Sequence, residues 1–225
     1  SPNIPIYEKM YDSISSLDLP ITYFYHIEYP ILKDKGLQDL RYKAEVLDRI
    51  RNEKDYNFMT ETQMFNSFFS VMNSKIDTSY DYNGGDFILS FENVNKDPSQ
   101  GIYKDTVGIE FEPGEKYAGY NFSTDANIYL RRGRNLYIGL GEKASIYVSD
   151  EKDCPHIVRA NIPVSIKKHE ENMVLNIEEG GLQQIKLYAP RGVEVLNHEF
   201  LVRKEEDYYT LTRYGEPTVL EIMFK

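Results

Sequence analysis

The stretch ITYFYHIEYP, residues 21–30, sets one histidine and one glutamate inside an aromatic and β-branched run. Residues two apart on a strand share a face, so Thr22, Phe24, His26 and Glu28 fall together, opposite Ile21, Tyr23, Tyr25, Ile27 and Tyr29. A carboxylate beside an imidazole orients the ring and raises its pKa, the setting of a general acid near neutral pH. The competing reading is that His26 and Glu28 are polar residues at a strand end, bonded to local backbone groups. The remaining histidines, His156, His169 and His198, lie more than four residues from one another and from His26. Nothing in that spacing suggests a metal site.

A second set lies in ANIYLRRGRNLYIGLGEKASIYVS, where tyrosine alternates with aliphatic residues along three successive segments. With Gly133 and Glu142 at the turn centres, Tyr129 pairs with Tyr137 and Tyr137 with Tyr147, and all three rings stand on the face opposite the core. Flat rings on a rigid sheet stack against sugars, and Arg131, Arg132 and Arg134 at the turn would meet carboxylates or sulfates. Two alternatives stand beside this one. The tyrosines pack under a neighbouring element with their hydroxyls wet, or they form a protein-contact surface.

Other residues carry weaker signals. Glu110 and Glu112 share a strand face, as a glycosidase pair would, but alternating charge on a solvated face explains them as well. Asp81, Asp86 and Asp97 offer oxygen ligands without the spacing of a calcium loop. Cys154, the single cysteine, excludes an internal disulfide and sits in no familiar nucleophile setting. The pairs Gly84-Gly85 and Gly180-Gly181 are turn glycines, because no helix follows either to cradle a phosphate.

The elements that must position these groups change character along the chain. After the 21–29 strand, Leu37, Leu40, Ala44 and Leu47 recur at helical spacing opposite a charged face. YNFMT reads as a second strand, Thr60 and Gln63 as a capping box, and Met64, Phe65, Phe68, Phe69 and Met72 as one stripe of the next helix. This strand–helix–strand–helix order over residues 1–75 predicts an α/β segment. From residue 76 to 225, short alternating segments recur between turn signals such as NGGD, PGEK, RRGRN and EEGG. That rhythm predicts a mainly β protein whose C-terminal domain is an antiparallel β-sandwich of about ten to twelve strands.

With 26 basic and 36 acidic residues the net charge is −10, which repels nucleic acid and anionic membranes as partners. No run reaches the roughly 18 apolar residues of a transmembrane helix. The start, SPNIPIYEKM, has neither the basic nor the apolar region of a signal peptide.

The N-terminal part resembles the end of a polysaccharide deacetylase barrel. The resemblance rests on a strand carrying a histidine, the helix-containing stretch EVLDRIRNEKDYNFMTETQMFNSFF and a β-rich extension, and it covers residues 19–72. In that family a late-strand histidine protonates the departing amine, so the resemblance implies that role for His26. It also implies a divalent metal, usually zinc, held by two histidines and an aspartate, with a second aspartate as base. The family's Asp-Asp pair and His-x-x-x-His spacing are absent here. The expectation is therefore the C-terminal portion of an exported, deacetylase-like carbohydrate esterase that is not catalytically complete alone. No cofactor belongs to this chain on that view; zinc and a covering barrel, or another chain, are supplied from outside it. The β-sandwich then supports the barrel or contacts glycan. The alternative is a non-enzymatic cell-surface or protein-interaction module. A complete hydrolase is least favoured, because no nucleophile–base pair stands out.

Overall fold

A computed structural model describes residues 9–10, 12–14, 16, 38, 40–47, 60–83, 86–94, 107–149, 153–169, 171–197 and 199–225. His26, Glu28 and the strand expected to carry them lie outside the described residues, as do Asp97 and His198. The chain divides into two compact units, Ser1–Phe58 and Met59–Lys225. In the first, residues 40–47 are helical and Val46 is buried. No helix among the described residues is long and apolar enough to cross a membrane.

The second unit opens with helix α1 (Glu61–Asn73). Its capping box forms as the spacing requires: Gln63 N–H donates to Thr60 Oγ1 at 3.3 Å, and Thr60 N–H donates to Gln63 Oε1 at 2.8 Å. The helix buries Gln63 and Ser70 and leaves Phe65, Phe68, Phe69 and Met72 of its apolar stripe exposed.

Among the described residues fifteen strands follow: β1 (Ile76–Asn83), β2 (Asp86–Asn93), β3 (Val107–Phe111), β4 (Phe122–Thr124), β5 (Ile128–Arg132), β6 (Asn135–Leu140), β7 (Lys143–Val148), β8 (His156–Ala160), β9 (Val164–Lys168), β10 (Asn172–Ile177), β11 (Gly181–Tyr188), β12 (Val193–Val195), β13 (Leu201–Glu205), β14 (Tyr208–Gly215) and β15 (Thr218–Phe224). They form three sheets. Two are four-stranded, ordered β1-β2-β7-β4 and β12-β15-β10-β9, and the third has seven strands ordered β13-β14-β11-β8-β5-β6-β3. The mainly β expectation holds, with three sheets and one parallel pairing, β5 with β8.

Side-chain alternation places a core on each face of the long sheet. In β5, Ile128 joins Ile157, Leu175, Ile185, Leu187, Leu211 and Leu220 in a core shared with the β12-β15-β10-β9 sheet. The next residue, Tyr129, points the other way and joins Leu136, Ile138 and Leu140 in a core shared with Phe91, Phe122, Ala144 and Ile146 of the β1-β2-β7-β4 sheet. Each short sheet thus covers one half of the long sheet, on opposite faces. The remaining half of each face is left without a covering sheet among the described residues.

Register corrects the expected tyrosine face. The β5–β6 hairpin turns on two residues, Gly133 and Arg134, with Gly133 at φ 59°, a backbone region glycine enters without steric cost. Tyr137 therefore faces Leu130, and Tyr129 faces Ile138. A one-residue shift moves a side chain to the other face, so Tyr129 is buried in the core while Tyr137 stays outside. Nor does Tyr147 pair with Tyr137. Its strand leaves for the short sheet, where Tyr147 lies opposite Ile88 and Ser123.

Candidate functional site

The uncovered half of the Ile128 face is the most site-like surface among the described residues. Its floor is built by three strands whose paired residues share that face: Leu130 and Arg132 from β5, Asn135, Tyr137 and Gly139 from β6, and Gly108 and Glu110 from β3. All are half-buried or exposed. At one end the floor runs into a groove of about 440 Å³. Asp125–Asn127 before β5, Gly141–Lys143 after β6 and Val164–Ile166 of β9 line it, with Gly139. The groove exists because the covering sheet stops at its edge strand β9 while the long sheet continues beneath.

Gly108 and Gly139 sit opposite each other in mid-strand. Glycine weakens a strand interior, so its presence calls for a reason. Neither has the positive φ that requires glycine. A Cβ built on Gly108 would meet no atom within 4 Å, so internal packing does not demand it there. The effect of the pair is a bare, flat strip of backbone beside the groove.

Tyr137 stands at the far end of that strip. The Arg132 guanidinium lies over its ring at 5.6 Å. A hydrogen bond to Glu110 raises the Tyr137 hydroxyl above its ordinary pKa of 10. Asn135 Nδ2 also donates to Glu110, at 3.4 Å. Within the groove wall, Asp125 Oδ1 accepts from the Ser145 backbone N–H at 2.6 Å, which fixes that carboxylate. The arrangement combines a half-buried aromatic ring with Arg132 over it, carboxylate and amide groups held by hydrogen bonds, and a floor bare of side chains at its two glycines. Such a set suits a ligand with an apolar face and hydroxyl edges.

The other arginines and tyrosines proposed from the sequence fall elsewhere. Arg131 points to the Tyr129 face, where Nε and Nη2 donate to Asp153 at 2.8 Å each and Nη2 donates to the Phe122 carbonyl at 2.8 Å. That bidentate bond holds the Asp153 carboxyl below its usual range, with burial opposing. Arg134 Nη2 donates to the Tyr117 carbonyl at 2.7 Å. Of the six residues, only Tyr137 and Arg132 stand together on an open surface.

Sequence reasoning missed a cluster around His156. Its imidazole lies flat against Tyr129, with 3.6 Å between ring centres and 13° between planes, and Tyr188 follows at 5.2 Å. Nδ1–H donates to the Cys154 carbonyl at 2.7 Å. Burial pushes the His156 pKa from 6.5 down to about 4. Tyr129 is raised, first by burial and then by the Asp153 carboxylate. Within this cluster His156 and Tyr129 are buried, while Tyr188 is half-buried. Among the described residues, no three or more His, Cys, Asp or Glu side chains are arranged to hold a metal.

No protein-family model, curated protein or solved structure matches this chain.

Proposed function

We propose that residues 59–225 form a double β-sandwich that contacts glycan through the floor and groove around Tyr137. The reading is carried by one juxtaposition: a half-buried Tyr137 ring between Arg132 and Glu110, continuous with a glycine-paved strip that ends in a carboxylate-lined groove. Sugar rings present one apolar face and a rim of hydroxyls. Tyrosine meets the first, and planar carboxylate, amide and guanidinium groups meet the second. The bare floor lets a flat ring approach the backbone.

In this proposal the unit serves as accessory domain to a longer, exported polysaccharide deacetylase-like protein. On this reading His26, with Glu28 two residues on in the sequence, is assigned as its general acid, and zinc is held by a barrel outside this chain. The apolar stripe of α1, exposed at Phe65, Phe68, Phe69 and Met72, favours a second reading, a protein-interaction module.

Retention of the purified chain on chitin, cellulose and xylan beads tests the first reading. The unaltered chain is expected to bind at least one polymer, and Tyr137→Ala to bind at least about tenfold more weakly with an unchanged circular dichroism spectrum. Tenfold is about 1.4 kcal/mol, within reach of one lost ring contact. Equal retention of the variant, or no retention of the parent on any bead, contradicts it.

A further inference from the structure

The long sheet is joined at one place. Its β3-β6-β5 part and its β8-β11-β14-β13 part meet where β5 runs parallel to β8, with Ile128 paired to Ile157. Side chains from both strands clamp this joint on the Tyr129 face. Tyr129 from β5 stacks on His156 from β8, and Arg131 from β5 grips Asp153 in the segment that leads into β8.

His156 is only 5% exposed. Its Nδ1 proton is committed to the Cys154 carbonyl, which leaves Nε2 as the place for a second proton. Charged and titratable groups face the ring from every side: Tyr129 and Arg131 from β5, Asp153 and Cys154 from the preceding segment, Lys168 from β9 and Tyr188 from β11. Arg131 and Lys168 oppose an added positive charge, while Asp153 favours one but is already bound on both oxygens by Arg131. A buried imidazolium without a free counter-charge is disfavoured, so the ring takes its second proton only where the joint opens to water.

We infer that the β5–β8 joint is an acid-sensitive hinge: a proton on His156 breaks its stack on Tyr129 and lets the two parts of the long sheet loosen while both hydrophobic cores stay closed. The device lies at a defined point in the fold and does not depend on what the groove binds.

Native-state hydrogen exchange on the full chain, with rates corrected for the intrinsic effect of pH, reads the hinge directly. Amides of β5 and β8 are expected to open roughly tenfold more per pH unit as pH falls from about 6 to 4.5, because each opening then takes up one proton. Amides of β6 and β10, at the centres of the two cores, open only with global unfolding and are expected to stay better protected than the joint at every pH. His156→Phe keeps a ring in the stack and cannot take the proton, so its joint should show no acid response. Unchanged protection at the joint, a joint as well protected as β6 and β10 at every pH, or the same acid response in His156→Phe overturns the inference. If that variant does not fold, an NMR titration of His156 in the parent chain decides. A ring that stays neutral in the folded chain while the joint loosens supports the inference, and a ring that already titrates at its ordinary 6.5 in the folded chain overturns it.

Discussion

Leu175→Ala and Leu136→Ala are each expected to lower the unfolding free energy by about 2–5 kcal/mol. Both side chains are 0% exposed, Leu175 in the core shared with the β12-β15-β10-β9 sheet and Leu136 in the core on the opposite face. Truncation removes transfer energy and leaves a cavity that strand pairing on both sides prevents from collapsing. A domain of ordinary stability has about 5–15 kcal/mol in total, so either change removes a large share. The shared strands add a second expectation at neutral pH. Ile128 and Tyr129 are chain neighbours that enter different cores, so one core cannot unfold without pulling on the strand that holds the other. Urea unfolding should show a lower midpoint with unchanged slope, and far-ultraviolet circular dichroism and tyrosine fluorescence should move together. A loss below about 1 kcal/mol, or probes that separate into two transitions, contradicts the two-core arrangement.

Acid should destabilise this unit early, through His156. Its folded pKa of about 4 lies below the ordinary 6.5, so the unfolded chain takes the proton first. The stabilisation from a neutral, buried His156 is complete above pH 6.5 and is lost as pH falls toward about 4, which amounts to about 3 kcal/mol. Asp153 adds a later stage. The Arg131 hydrogen bonds hold its carboxyl below 3.8, so its contribution persists above that pH and disappears below it. Urea unfolding at pH 7, 6, 5 and 4.5 should show the first decline, and His156→Phe should flatten it. Constant stability across that range would mean that the imidazole is open to water.

Much of the architecture was legible because local signals agree with the fold. The Thr60–Gln63 capping box is written in four residues, and β6, β10 and β15 alternate strictly enough to be read one by one. β1, with the sequence IDTSYDYN, and β13, with LVRKE, were not recognised; both are charged edge strands whose pairing decides their conformation. The tyrosine face failed on a single residue of register. A three-residue turn centred on Gly133 and a two-residue turn at Gly133-Arg134 both fit NIYLRRGRNLYIGL, and they put Tyr129 on opposite sides of the sheet. The short Gly141-Glu142 link looks like a hairpin but carries the chain from one layer to another.

The candidate site was half legible. Tyr137 and Arg132 were found because aromatic and basic residues near a turn are conspicuous. Gly108 and Gly139 were passed over, although glycine in mid-strand is itself a signal of close approach. Their pairing across β3 and β6 depends on a register that spans 31 residues, which spacing alone does not supply. The His156 cluster was missed for the same reason, since Arg131 and Asp153 are 22 positions apart.

The central claim is that a glycan lies on the Gly108–Gly139 strip beside Tyr137. Mapping NMR amide shifts while titrating short chitin, cellulose and xylan oligosaccharides into the chain tests it most directly. The account predicts saturable shifts confined to Gly108, residues 125–127, Tyr137, Gly139 and the β9 edge. Shifts that cluster on the Tyr188–Tyr208 face or on α1, or none with any of the three sugars, would contradict it.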